Sequence, residues 1–189
     1  MDLYVVKYTG VFGYIKPWSA VRDGETFSQQ FLTPSIIEGM EKKLFPELLS
    51  ENGCIKKIIR HKLSYDSMDS QQEQTQTRGW EYKKSNKIFV RERSILKRTV
   101  LVNPILYLAF LDKQDAIKAS QEHICLCRNE DVLLPDKDII ILSQQEFNCL
   151  NGFELKFDRN DNSFLVGYNR YNNASPMYGW LEYNGKSVL

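Results

Sequence analysis

Aromatic and cationic side chains alternate in the loop that follows the first predicted strand. Tyr14, Lys16, Trp18 and Arg22 place two rings and two positive charges within nine residues. Aromatic side chains stack on the splayed bases of single-stranded RNA, and cations contact its phosphates. The pattern therefore indicates an RNA-binding loop, the alternative being that Tyr14 and Trp18 only cover an edge of the core.

A second candidate for chemistry is His61, which stands between Arg60 and Lys62. Basic neighbours lower the pKa of an imidazole and favour a neutral base at pH 7. RNA cleavage that leaves a cyclic phosphate needs a base at the 2′-hydroxyl and an acid or cation at the leaving oxygen. His61 with Tyr65 or Lys62 would supply both, but a histidine without a chemical role is the preferred interpretation.

Other chemistries find little support in the sequence. There is no GxxxxGK[ST] and no GxGxxG motif, so nucleotide hydrolysis is not predicted. Cys125 and Cys127 with His123 resemble half a zinc site, but their spacing is short, no second cysteine pair follows, and Cys149 is isolated. We therefore predict no metal and no cofactor, and interpret these cysteines as structural.

Composition predicts an ordered protein. The chain has 189 residues, 42% of them hydrophobic and 12% aromatic, enough for one domain or two small ones packed together. No apolar run is long enough for a membrane span, and the first residues favour a strand rather than a signal peptide. Four cysteines without secretory context predict reduced thiols and a cytoplasmic protein.

Basic residues are concentrated in the middle of the chain. Residues 53–98 contain twelve Lys and Arg against five Asp and Glu, a net charge of +7, whereas the remainder carries −6. Such asymmetry is typical of a face that binds a polyanion. A solvated basic surface is the alternative.

The loop leads into a helix with a strong start signal. Thr33 can cap the helix through its hydroxyl, and Pro34 suits the first helical position. Ser35 with Glu38 offers a capping box, and Pro46 is expected to end the helix. One apolar stripe is predicted to face the core: Ile36, Met40, Leu44 and Leu48, with Ile37 beside it.

The next segment predicts a hairpin arm. Residues 54–65 favour a strand with one basic face, and residues 66–79 are polar, rich in glutamine and without an apolar period. We interpret residues 66–79 as a mobile excursion and the charged residues after them as a returning strand. The basic flanks of such an arm can lie along an RNA backbone.

Alternating elements complete the chain. Residues 94–110 predict central strands broken at Asn103–Pro104, and residues 112–124 a short helix capped by Asp112. Strands are expected at 139–142, 152–157 and 163–168, followed by a turn-rich tail.

The order of strands and helices is the βαββαβ pattern of an α+β, ferredoxin-like (RRM-type) antiparallel sheet with two helices. We predict a core at 1–143 that includes the hairpin arm, and a small β-rich C-terminal extension at 144–189.

Two segments resemble a known family. The loop GVFGYIKPWSAVRDGETFSQQF followed by LTPSIIEGMEKKLF is similar to the N-terminal segment of the RAMP proteins of CRISPR–Cas systems, with Thr33, Pro34, Ser35 and Gly39 matching its pattern. FVRERSIL, residues 89–96, resembles the arginine-containing strand that returns from the thumb hairpin of that family. The resemblance covers about residues 1–110 and is greatest to the subunit that caps the 5′ end of the guide RNA. It implies that an extended β-hairpin thumb lies at about residues 62–93.

The resemblance implies a non-catalytic role. Such a subunit holds the 5′ handle of the crRNA, docks on neighbouring backbone and large subunits in antiviral defence, and lies near target nucleic acid. The expected RNA-binding residues are Tyr14, Lys16, Trp18, Arg22, Arg60, Lys62, Arg91, Arg93, Lys97 and Arg98. Two alternatives stay open: a metal-independent endoribonuclease that processes precursor crRNA with His61, Tyr65 and Lys62, and a protein–protein adaptor without direct RNA contact.

Overall fold

The computed structural model describes residues 2–17, 24–76 and 79–185. Within these ranges the strands are β1 (Asp2–Thr9), β2 (Phe12–Gly13), β3 (Glu25–Phe27), β4 (Arg60–Ser64), β5 (Ser67–Gln76), β6 (Glu81–Lys83), β7 (Ile88–Val90), β8 (Arg93–Val102), β9 (Ile105–Phe110), β10 (Ile124–Cys125), β11 (Val132–Pro135), β12 (Ile140–Ser143), β13 (Gly152–Lys156), β14 (Phe164–Asn169) and β15 (Ser175–Asn184). The helices are α1 (Pro34–Leu44), a short 3-10 helix (Pro46–Leu48), α2 (Lys113–Ala119) and α3 (Gln144–Cys149).

The core is the βαββαβ unit formed by β1, α1, β4, β9, α2 and β12. In its antiparallel sheet β9 lies between β1 and β4, and β12 and β11 share the far edge of β1. Alternate residues of β1 and β9, such as Val6 and Leu108, pack with the helices, and residues of opposite orientation, such as Val5 and Ala109, form a smaller cluster with Phe147. The predicted ferredoxin-like α+β fold is confirmed.

Helix α1 begins and ends where its sequence signals placed it. Thr33 is the N-cap with extended backbone, Pro34 is the first helical residue, and the helix ends at Leu44 before Pro46. The capping contacts were predicted wrongly. The Thr33 hydroxyl makes no cap hydrogen bond, and the Glu38 carboxylate accepts from Lys42 Nζ and the Gly53 N–H.

The segment before β4 is not a strand, contrary to the prediction for residues 54–65. The Glu41 side chain of α1 is buried, and its carboxylate accepts hydrogen bonds from the N–H groups of Lys56, Lys57 and Ile58 at 2.6–3.1 Å. These donors are turned toward the helix instead of toward a neighbouring strand. The strand therefore starts only at Arg60.

Strands β5 and β8 form the extended β-hairpin, which is called the arm below. They pair antiparallel over ten residues, from Ser67↔Val102 to Gln76↔Arg93, and β6 and β7 form a smaller hairpin at the tip. The prediction of a mobile excursion at 66–79 was wrong, because residues 67–76 are a paired strand. None of the side chains of β5 is fully buried, so its sequence needs no apolar period.

The C-terminal residues extend the same sheet. β13 pairs with β4 through Phe153↔Leu63, and β15 and β14 follow, so the strand order continues as β4–β13–β15–β14. The tail predicted to be turn-rich contains the ten-residue strand β15. Helix α3 was missed, although Ser143 and Glu146 form the capping box that the spacing S-x-x-E signals.

Candidate nucleic-acid interface

One face of the arm is exposed and cationic. Along β8 the alternation of side chains places Arg93, Ile95 and Lys97 on this face. Opposite them in register on β5 stand Gln76, Gln74 and Gln72. We call this set, Arg93, Ile95, Lys97, Gln72, Gln74 and Gln76, the arm face.

The cations of the arm face are available to a ligand. Lys97 lies opposite Glu25 of β3, which pairs in parallel with β8, yet among the described residues neither Lys97 nor Arg93 has an ion pair or a side-chain hydrogen bond. Phe27, on the same strand as Glu25, is 62% exposed and Ile95 is 60% exposed. Charge and apolar surface therefore stand side by side, as stacking and phosphate contacts require.

The tip of the arm carries a cluster of exposed rings that sequence reasoning missed. Trp80 and Phe89 are 63% and 65% exposed, and Phe89 packs on Tyr82 with ring centroids 5.0 Å apart. The Arg91 guanidinium lies 5.1 Å from the centre of the Trp80 ring. The sequence did contain a signal for this cluster, the same mixture of aromatic and cationic residues that residues 14–22 show. Its aromatic members are Trp80, Tyr82 and Phe89, and its cations are Lys83, Lys84 and Lys87.

The opposite face of the arm is anchored to the core through Tyr14. Tyr14 is 2% exposed, and two guanidinium groups lie near the centre of its ring, that of Arg98 at 5.2 Å and that of Arg128 at 5.5 Å. Arg98 Nε donates to Glu73 at 2.6 Å, and Arg128 binds the buried Asp131. Tyr14 and Arg98, both expected to contact RNA, thus serve to hold the arm.

Arg60 and Lys62 point to the sheet face opposite α1 and α2 and are engaged within the protein. Arg60 Nε donates to Glu154 at 2.9 Å, and its guanidinium lies 4.5 Å from the Phe147 ring centre. Lys62 is 3% exposed and its ammonium donates to the backbone oxygens of Phe147, Asn148 and Leu150 at the end of α3. Burial lowers the pKa of Lys62.

The three residues considered for catalysis do not converge on an open site. His61 is 3% exposed, stacks on Phe157, and its Nε2 atom has no hydrogen-bond partner. Burial lowers the pKa of His61 to about 4, so the ring is neutral at pH 7 as predicted, with burial rather than its basic neighbours as the main cause. The Tyr65 hydroxyl donates to Gln30 Oε1 at 2.8 Å.

Three of the remaining expected RNA-binding residues belong to the loop after β1, and two of these are not described by the structure. Trp18 and Arg22 lie outside the described residues. Lys16 is exposed and follows Ile15, whose backbone binds Ser28 and Gln29 beside β3. Of the ten expected RNA-binding residues, the structure brings together three exposed ones on the arm, Arg91, Arg93 and Lys97.

No three His, Cys, Asp or Glu side chains in the described ranges are grouped so that they could hold a metal ion. The four cysteines are free, and His123 contacts Lys43 Nζ. None of the helices in the same ranges is long and apolar enough to cross a membrane.

Fold and site together define a ferredoxin-like α+β protein with a basic β-hairpin arm. A chain in a solved structure described as a CRISPR RNA-guided surveillance complex shares this fold, with a TM-score of 0.56 and 11% sequence identity. The match covers 96% of this chain and 90% of that chain. No family model matches the sequence, and no curated protein matches it.

Proposed function

We propose that this chain is a non-catalytic RNA-binding subunit of a CRISPR guide-RNA effector complex. It holds the 5′ handle of the crRNA and contacts neighbouring backbone and large subunits. The observation that carries the proposal is an exposed cationic arm on a fold shared over nearly the whole chain with a component of an RNA-guided surveillance complex.

The arm supplies the contacts that a ribose-phosphate chain needs. Arg93 and Lys97 are four residues apart on β8, so their charges stand about 13 Å apart along the strand. Glutamine side chains between them can donate to sugar and phosphate oxygens without selecting a base. The rings of Trp80, Tyr82 and Phe89 at the tip offer stacking surfaces to bases or to a base pair end.

Salt-dependent RNA binding tests this interface. We expect Arg93→Glu/Lys97→Glu to weaken binding of a crRNA handle and to lower the slope of log affinity against log salt by about 1.4, because each phosphate contact contributes about 0.7 for single strands. Lys113→Glu/Lys137→Glu makes the same charge change at exposed sites away from the arm. Equal losses of RNA affinity in both double variants would show that the arm contributes only nonspecific charge. If the protein had no RNA affinity at low salt, either alone or in its complex, the adaptor alternative would be favoured.

The endoribonuclease alternative receives no support from the geometry. A base must reach the 2′-hydroxyl of its substrate, whereas His61 is buried and the Lys62 ammonium is held by three carbonyl oxygens. Incubation with repeat RNA in EDTA separates the two functions. We expect no specific product, and a cut abolished by His61→Gln would establish the nuclease instead.

Partners are tested by co-purification. A tagged chain expressed with its neighbouring genes is expected to bring down short RNAs of one uniform 5′ end together with other complex subunits. Recovery of proteins without RNA would place the chain among adaptors.

A further inference from the structure

The helix face of the extended sheet contains a cavity that shares no lining residue with the arm. Its volume is about 330 Å³, within the size range of small-molecule sites. Its walls are the exposed side of α1, the turn at residues 53–55, the strand end and turn at residues 168–171, and Met177 of β15. We propose that this cavity binds a nucleotide that carries a single phosphate group, and that it contacts both the base and the phosphate.

Aromatic surface for a base comes from Tyr168 and Tyr171. Both rings line the cavity and remain 50% and 65% exposed although they stand next to it, so no described part of the chain covers them. Lys42 Nζ lies 5.8 Å from the centre of the Tyr171 ring. Exposed rings beside a cavity and near a cation are the arrangement that binds stacked bases.

Charge in the cavity favours a single anionic group. Lys42 is neutralised by Glu38 at 2.7 Å. Arg170 is exposed, and its guanidinium has no ion pair or hydrogen bond within the described residues. A planar guanidinium binds phosphate oxygens in pairs, so one phosphate would be placed at Arg170 while the base lies against the tyrosines.

The walls are fixed before any ligand arrives. Asn169 Oδ1 accepts from the Tyr171 N–H at 3.0 Å, and Asn172 and Ser175 continue the turn through backbone hydrogen bonds. Gly53 adopts φ +78°, and a Cβ atom there would lie 3.1 Å from Asn169 Oδ1, which shows how closely the two turns approach. A preformed site loses little entropy on binding.

Gly39 gives the means to block the cavity without harming the fold. It lies on the exposed side of α1, lines the cavity, and has no atom within 4 Å of an added Cβ. Leucine at this position improves helix propensity and projects side-chain atoms into the open space. Gly24 also has free space at its Cβ and does not line the cavity, so Gly24→Leu is the matched control.

Titration of the whole protein with adenosine 5′-monophosphate, followed by amide shifts in NMR spectra, tests the proposal. We expect saturable shifts at Gly39, Gly53 and Asn169, and at least about tenfold weaker binding of adenosine or inorganic phosphate alone. Gly39→Leu and Arg170→Glu should weaken the nucleotide at least about tenfold, and Gly24→Leu should not. The absence of saturation up to about 10 mM, or full binding by Gly39→Leu, would overturn the proposal.

Two sources of the nucleotide are distinguished in the same experiment. Displacement of the monophosphate by a short RNA with a terminal phosphate, weakened by Gly39→Leu, assigns the cavity to an RNA end, and failure of RNA to displace it assigns a free nucleotide. The arm variant Arg93→Glu/Lys97→Glu should leave monophosphate binding unchanged. The experiment can therefore disprove nucleotide binding in the cavity without disproving the proposed RNA-binding function, and the reverse also holds.

Discussion

Lys62 shows how the role of a single residue follows from its partners. Its ammonium is buried and donates to three backbone oxygens, the nearest two at 2.7 Å, which belong to Asn148 and Leu150. These oxygens belong to the end of α3, where backbone carbonyls lack intrahelical donors. The Phe147 oxygen also accepts from the Leu150 N–H, and the Asn148 oxygen from Asn184 Nδ2. A cation at this helix end also lies at the negative end of the helix dipole.

Replacing Lys62 with methionine is expected to destabilise the protein by about 2–4 kcal/mol, because three backbone oxygens at the end of α3 lose their charged donor. Urea unfolding measures the change in free energy. Lys97→Met, the same substitution at an exposed lysine of the arm, should stay within about 0.5 kcal/mol of the parent. Equal stability of both variants would mean that water replaces the lysine at the end of α3.

His61 predicts a dependence of stability on pH. Burial lowers its pKa in the folded state to about 4 from an unfolded value near 6.5. Between these values the unfolded chain binds the proton and the folded chain does not, so stability is lost as the pH falls from 6.5 toward 4. This single group is expected to cost about 2 kcal/mol between pH 7 and pH 5.

Unfolding free energies of the parent and His61→Gln at both pH values measure that contribution. The variant should lose about 2 kcal/mol less than the parent over the interval. His123→Gln removes the exposed histidine and should keep the behaviour of the parent. Parallel pH profiles of the parent and His61→Gln would contradict a buried neutral imidazole.

At the scale of elements, the arm is a ribbon whose two faces have different tasks. One face carries Arg93 and Lys97 toward solvent. The other is joined to the core through Arg98, Tyr14 and Arg128. Nearer the core, β8 also pairs with β2 and β3, whereas from Arg93 to Leu96 its partner among the described strands is β5.

Arg98→Gln and Arg93→Gln remove the same charge from the same strand but should differ in effect. Loss of Arg98 frees Glu73, Thr26 and the Tyr14 ring, so amides of residues 71–76 should exchange with deuterium about tenfold faster. Loss of Arg93 should leave exchange unchanged while weakening RNA. Identical exchange in both variants would show that backbone pairing alone orients the arm.

At the scale of the whole molecule, the C-terminal residues complete the sheet. β13 covers the edge of β4, and it brings Glu154 to Arg60 and, just beyond its end, Phe157 to His61. Helix α3 brings the acceptors of Lys62. The division at residue 143 that the sequence predicted thus crosses many contacts of β4.

A chain that stops after Ser143 is expected to lack a cooperative fold, because β4 becomes an open edge with Arg60, His61 and Lys62 unpartnered. Dispersion of amide NMR signals and a thermal unfolding curve measure this. A well-dispersed spectrum with a sharp transition would instead establish residues 1–143 as an independent unit. Loss of the helical signal in circular dichroism should accompany the expected outcome.

Local patterns were enough to locate much of the fold. Pro34 and Pro46 bound α1 because proline is tolerated in the first turn and excluded from the interior. Asp112 caps α2 with a hydrogen bond to the Gln114 N–H, and Asn103–Pro104 separates β8 from β9. The order of these elements then led to the ferredoxin-like arrangement.

The sequence by itself determined where α1 and α2 begin and where β8 and β9 divide, since capping and proline act between residues a few positions apart. Only the tertiary structure decided which cations are free. Arg60 and Lys62 look like Arg93 and Lys97 in the sequence, yet their partners lie 94 and 86 residues away and bury them. A charge is available to RNA only where no nearer carboxylate or carbonyl has taken it, and that depends on contacts distant in the chain.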